Sequence, residues 1–186
     1  MSFFPAYLDL KDRRVLIVGG GRVALGKLKR LLEFSENLVI ISPEFLDEFL
    51  EFDIELLHRC YRRGDIEGFD IVIVATDNIE LQREIFIESR GSGILVNCVD
   101  SMEYCDFIFP SYIKKGHLTI SISTDGASPA VTKALREYIE ELIPPDIDIF
   151  LRDMKSLRES LPKGESRIEL FREMSRDFID RYREER

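Results

Sequence analysis

Arg14-Val15-Leu16-Ile17-Val18-Gly19-Gly20-Gly21-Arg22-Val23-Ala24 reads as a short buried strand, a glycine turn and the start of a helix. Gly19 suits the tight turn, Gly21 lets a pyrophosphate approach the backbone, and Ala24 keeps the helix close to the strand. N–H groups on a first helical turn have no partner within the helix, and the helix dipole favours negative charge there. The spacing is GxGxxA, an accepted variant of the dinucleotide fingerprint. Glycine turns after strands are common, so the weight of the motif comes from its flanks. Ala24, Lys27, Leu28, Leu31 and Leu32 recur at helical spacing through an expected helix over Val23–Phe34.

Outward from this motif, strands and helices alternate. Strands are expected at Val15–Val18, Leu38–Ile41, Ile54–His58, Ile71–Ala75 and Ile94–Val99. Helices are expected at Glu44–Glu51 and Ile79–Arg90, the latter stopped by Gly91-Ser92-Gly93. Apolar strands alternating with amphipathic helices indicate a parallel sheet covered on both faces. The fold class is therefore α/β, with a Rossmann-like parallel-sheet domain.

The pattern changes after Asp100. Asp106–Ile113 and Leu118–Ser123 read as a strand pair around Lys114-Lys115-Gly116-His117. Ser128 is placed as N-cap and Pro129 as first residue of a helix running to Leu142, before Pro144-Pro145. Two charged amphipathic helices follow, near Asp146–Ser160 and Glu165–Glu184. The expected organisation is a nucleotide-binding domain over 1–113, a small mixed segment over 114–145 and a helical region over 146–186.

Composition narrows the function. The 186 residues are 45% hydrophobic and 33% charged, enough apolar content for a sizeable core. No apolar run approaches the ~20 residues of a membrane helix, so no membrane partner is expected. A net charge of −9 argues against a general nucleic-acid binder. Met1-Ser2-Phe3-Phe4-Pro5 lacks the basic and apolar regions of a signal peptide, and the expected location is cytoplasmic. Cys60, Cys98 and Cys105 show no CxxC spacing and suit a reducing compartment. Neither His58 nor His117 has metal-ligand spacing with another candidate, so no resident metal is expected.

Four segments carry a resemblance. Phe4-Pro5-Ala6-Tyr7-Leu8-Asp9-Leu10 leads into the glycine motif and Lys27, and Ala75-Thr76-Asp77-Asn78 follows the fourth strand. Val96-Asn97-Cys98-Val99-Asp100 precedes Phe107-Ile108-Phe109-Pro110-Ser111, and Leu118-Thr119-Ile120-Ser121-Ile122-Ser123 runs into Thr124-Asp125-Gly126-Ala127-Ser128-Pro129. In this order they resemble the precorrin-2 dehydrogenase / sirohydrochlorin ferrochelatase family, the dehydrogenase domain of sirohaem synthases. The resemblance implies oxidation of precorrin-2 to sirohydrochlorin with NAD⁺, Fe²⁺ insertion as a further step in some members, and a homodimer built largely through the middle segment. Gly26 departs from the arginine that many relatives carry there.

The resemblance also implies that Asp100 is catalytic, and that Arg22, Val23, Pro43 and Glu44 contact the nicotinamide cofactor. Asp100 follows the fifth strand, where open α/β sheets bind ligands, though it equally suits a cap on the next turn. Glu44 stands either as the carboxylate that holds the ribose or as an ordinary first-turn helix residue. Thr76 and Asp77 end the fourth strand beside the expected cofactor cleft, with Asp77 alternatively the N-cap of the next helix. A tetrapyrrole bearing acetates and propionates calls for cations. Lys114 and Lys115 are candidates, beside the surface pairs Arg62-Arg63 and Lys133 with Arg136, and Ser128 could bind a carboxylate or serve only as a cap.

Two functional readings follow. One is an NAD-dependent dehydrogenase, with iron insertion left open. The other is a non-catalytic dinucleotide-sensing module that responds to NAD(H) through its helical tail. Asp100 and the Thr124–Pro129 turn favour the enzyme.

Overall fold

The computed structural model describes residues 3–184; Met1 and Ser2 of the N-terminal stretch lie outside it, as do the last two residues. The chain forms two compact units that meet in sequence between Ile108 and Phe109. The strand Ser111–Lys115 crosses residue 113 and stays whole within the second unit, paired with its hairpin partner.

The first unit holds five parallel strands: β1 (Val15–Val18), β2 (Leu38–Ser42), β3 (Glu55–His58), β4 (Ile71–Val74) and β5 (Leu95–Cys98). Their order is β3-β2-β1-β4-β5, with Ile17 opposite Ile40 on one side and Ile73 on the other. Every residue of β1 and β4 is buried. Burying such a side chain on both sheet faces contributes about 1.5–3 kcal/mol, which explains why these strands are unbroken runs of Val, Leu and Ile. Helix α1 (Arg22–Leu31) packs Ala24, Leu25, Leu28 and Leu31 inward, and α2 (Ile79–Glu88) packs Gln82 and Ile85. The chain leaves β1 toward β2 and returns across it to β4. That reversal opens a crevice at the carboxyl ends of the two central strands.

The expected helix over Glu44–Glu51 is corrected to a short 3-10 helix at Asp47–Glu51. Gly20 O accepts the Leu46 N–H at 3.1 Å, and Ser42 Oγ donates to Glu44 O at 2.6 Å. These bonds accompany a bend at Pro43 and Glu44 and pin Leu46 to the glycine turn, so a helix does not begin at Glu44. The cap of α2 is Asn78, whose Oδ1 accepts the Leu81 N–H at 3.1 Å, and not Asp77.

The second unit begins with an antiparallel hairpin, β6 (Ser111–Lys115) and β7 (Leu118–Ile122). Strand β6 starts later than the expected Asp106 because Asp106 is bonded back to Val96. Helix α3 (Pro129–Leu142) starts as predicted, with Ser128 Oγ accepting the Val131 N–H at 3.3 Å. Helices α4 (Ile147–Ser160) and α5 (Glu165–Glu184) follow. Phe150 stacks on Phe178 at 4.0 Å, and Tyr182 donates to Asp146 at 2.5 Å. No helix among the described residues is long and apolar enough to cross a membrane.

Candidate functional site

The carboxyl ends of the parallel strands gather the candidate residues of the first unit. Gly19 follows β1 with φ +127°, a conformation that favours glycine. Its N–H donates to Ile41 O at 2.8 Å. A Cβ added there would overlap the carbonyl of Ala75, which follows β4. A Cβ on Gly20 would overlap the carbonyl of Glu44, which follows β2. The glycine turn therefore lies against the ends of both neighbouring strands.

Gly21 differs from the other two. Among the described residues nothing lies within 4 Å of the place its Cβ would take. It is the N-cap of α1 and brings no side-chain oxygen to the cap. The helix start thus offers N–H donors over open space, the arrangement an anion needs. Arg22 and Val23 are exposed at this end, while Ala24 is fully buried against the sheet. Pro43 and Glu44 lie in the bend after β2, both exposed. With no helix at Glu44, its reading as a first-turn helical carboxylate falls away. Thr76 Oγ1 accepts the Asn78 N–H at 3.3 Å, and Thr76 O accepts from Gln82 Nε2 at 2.7 Å. Asp77 is exposed.

Asp100 lies just past β5, exposed, with φ +64°. Aspartate tolerates the left-handed region better than most residues, and such conformations cluster at functional sites. The loop that carries it is closed at its base. Cys105 Sγ donates to Cys98 O at 3.1 Å and accepts the Cys98 N–H at 3.3 Å. Asp106 N–H donates to Val96 O at 2.8 Å, and Asp106 Oδ2 accepts the Val96 N–H at 2.9 Å. Arg90 grips the same carboxylate with two bonds of 2.9 and 2.6 Å. Burial pushes Asp106 up, but the Arg90 guanidinium and the Val96 N–H hold it below the usual carboxylate range. Burial and the neighbouring Cys105 and Asp106 push the Cys98 thiol up to about 12, so it packs as a neutral group.

Sequence spacing had not assigned a role to Lys27 or Asn97. Burial, helped by the charge of Arg30, pushes the Lys27 amine down to about 8, against the opposing pull of the Asp100 carboxylate. Lys27 lies one helical turn beyond Ala24, and that i+3 relation was the available signal. Asn97 is 5% exposed; its Nδ2 donates to Phe107 O at 2.9 Å. Its Oδ1, like Gln82 Oε1, is buried without a hydrogen-bond partner among the described residues. Such acceptors are normally met by a ligand or a water. The open space over Gly21 at the start of α1 is the feature that suits a dinucleotide.

The Lys27 environment gives a pH prediction. Its folded pKa lies below the unfolded value of 10.5, so the unfolded chain holds the extra proton between about pH 8 and 10.5. Stability from this residue therefore rises with pH across that window. Urea unfolding of wild type and Lys27→Met at pH 7.0 and pH 9.5 checks it. The difference between them should move in favour of wild type at the higher pH; an unchanged difference would refute the assignment.

The remaining candidates belong to the second unit. Lys115 Nζ donates to Glu140 O near the end of α3, at 3.3 Å, where the helix dipole favours a cation. Lys114 Nζ donates to Gly116 O at 3.3 Å. His117 N–H donates to Asp148 Oδ1 at 3.1 Å, tying the hairpin turn to α4. Ser128 caps α3 through its side chain.

Residues 6–111 match a family described as "Putative NAD(P)-binding", and residues 115–142 match "Sirohaem biosynthesis protein central". The siroheme synthase of Pseudoalteromonas translucida is 34% identical over 79% of this chain and 32% of its own length. That of Methylococcus capsulatus is 36% identical over 86% of this chain and 34% of its own. The chain thus spans about a third of the length of these relatives. Among solved structures, SirC, a precorrin-2 dehydrogenase, superposes with a TM-score of 0.78 at 25% identity, covering 98% of this chain and 96% of that one. The glycine turn and the loop after β5 are therefore those of a known lineage: the chain belongs to the NAD(P)-binding family of sirohaem biosynthesis proteins that includes the precorrin-2 dehydrogenases.

Proposed function

We propose that this protein oxidises precorrin-2 to sirohydrochlorin with NAD⁺. The observation that carries the reading is Asp100, held in a left-handed turn just past β5, at the same carboxyl edge of the parallel sheet as the glycine turn. The likeness to SirC over nearly the whole of both chains supports it. A pure sensor needs no carboxylate on a loop closed by Cys105, Asp106 and Arg90.

Roles follow from position. Gly19, Gly21, Arg22 and Val23 receive the pyrophosphate on the first turn of α1, and buried Ala24 keeps that helix close. Pro43 and Glu44 border the adenosine ribose, which selects NAD. Thr76 and Asp77 line the crevice beyond β4. When bound, NAD⁺ accepts a hydride from the macrocycle. Asp100 takes the accompanying proton from the substrate, as a positioned carboxylate can. Ser128, Lys114 and Lys115 are assigned to substrate carboxylates, Ser128 through its hydroxyl and the α3 N-terminus.

The reading includes three further features. Fe²⁺ enters as a second substrate, with Asp100 receiving pyrrole protons as the metal goes in. The protein acts as a homodimer: Val131, Leu135, Tyr138 and Leu142 form an exposed apolar stripe along α3, at spacings of four, three and four. It works in the cytoplasm, which its three free cysteines suit. Anaerobic turnover of precorrin-2 with NAD⁺, followed by visible absorption and then repeated with Fe²⁺, tests the reading. Sirohydrochlorin with matched NADH is the expected result. No oxidation above the enzyme-free control, from folded protein that binds NAD⁺, would reject it.

A further inference from the structure

The helical region of the second unit carries a trough between α4 and α5 of about 730 Å³. Leu151, Met154 and Phe171 form its floor with Ile168, which is 51% exposed. Lys155 and Arg158 rise from α4; Arg167, Arg172 and Arg176 rise from α5. No Asp or Glu among the described residues lines it, although acidic residues outnumber basic ones 35 to 26 in the chain. Arg167 is tied to Arg158 O and Leu161 O at 3.1 and 3.0 Å, and Arg172 pairs with Glu169 at 3.5 Å. Lys155, Arg158 and Arg176 have no carboxylate within ion-pair distance among the described residues. Like charges crowded along an apolar trough raise the local potential and favour an anion that also has an apolar face.

We propose that this trough binds a flat macrocycle bearing carboxylates on its edges, the tetrapyrrole of the proposed reaction, with its apolar face on Leu151, Met154 and Phe171. The ligand class rests on that functional reading; the trough itself does not. The volume lies within the ~300–1,000 Å³ range of small-molecule sites. Its ten lining residues fall short of the ~20–30 that a stable protein partner covers on each side. Cations on both rims match a rigid body with anionic groups on opposite edges. This gives the acidic chain a receiving surface in addition to Lys114 and Lys115, whose amines bond backbone carbonyls.

The test is fluorescence titration of the full chain with uroporphyrin, a planar macrocycle with eight carboxylates. Lys155→Glu/Arg158→Glu/Arg176→Glu is compared with Arg152→Glu/Lys163→Glu/Arg183→Glu, which has the same net charge but lies off the trough. The trough variant should bind at least about 10-fold more weakly, and the control should stay within about 2-fold of wild type. A neutral variant, Lys155→Gln/Arg158→Gln/Arg176→Gln, should show an intermediate loss and covers a folding failure of the reversal. Equal weakening in both reversals, or in neither, overturns the proposal, as does no binding to wild type. A change of oligomeric state in the trough variant by sedimentation would assign the surface to a second copy and also overturn it. Precorrin-2 oxidation is measured separately. Its failure with trough-dependent porphyrin binding intact removes the dehydrogenase reading alone; normal oxidation without trough dependence removes the trough alone.

Discussion

Asp100→Asn is expected to lower precorrin-2 turnover by about 100- to 10,000-fold, the usual contribution of a positioned acid or base. NAD⁺ affinity should stay within a few-fold of wild type. Asparagine is the decisive substitution because it tolerates the left-handed region that Asp100 occupies at φ +64°. It keeps the turn and removes the proton acceptor. Asp100→Ala removes both, adding backbone strain of about 1–2 kcal/mol to the same catalytic loss. If Asp100 served only the turn, asparagine would restore activity and alanine would not. Single-turnover absorption changes, with NAD⁺ affinity from fluorescence and stability from urea unfolding, separate the cases. Near-normal turnover in Asp100→Asn would remove Asp100 as the base.

Much of the architecture is legible because it rests on local chemistry. Val15–Val18 and Ile71–Val74 are apolar without interruption because both faces of a central parallel strand are covered. Ser128-Pro129 announces its helix through a cap and a ring suited to the first turn. The misreadings arise where distant partners decide. The Glu44–Glu51 segment has helical composition, but Gly20 O and Ser42 Oγ bond its first residues outside any helix. Asp106 has the look of a strand start, yet it closes the Asp100 loop through Arg90, sixteen residues earlier. Asp77 and Asn78 are both competent caps, and only backbone geometry chooses Asn78. Lys27 sat in a quoted motif without a role because its lowered pKa comes first from burial, which depends on the folded chain around it, with a smaller contribution from Arg30 on the same helix. The strand-end candidates could be placed from the sequence since α/β topology brings strand ends together. The trough could not, since it depends on how two helices with ordinary charged faces are paired.

The three consecutive glycines separate fold from function within one turn. Gly19→Ala should cost about 2–4 kcal/mol and abolish NAD⁺ binding, because the added carbon overlaps the Ala75 carbonyl and the φ of +127° excludes a side chain. Gly20→Ala carries no positive φ, but its carbon overlaps the Glu44 carbonyl. The segment after β2 must shift, so stability and NAD⁺ affinity should fall together. Gly21→Ala should cost less than about 1 kcal/mol, since open space surrounds its Cβ and only the helix cap changes. Its NAD⁺ affinity should nonetheless fall by about 10-fold or more, because the methyl enters the space a pyrophosphate takes over the helix N-terminus. Urea unfolding with and without NAD⁺ measures both quantities in each variant. A Gly21→Ala protein with wild-type affinity would move the phosphates away from this turn. A strongly destabilised Gly21→Ala would show that the space has a structural occupant. Loss of affinity with retained stability, at Gly21 alone of the three, is the result that a dinucleotide seated on α1 requires.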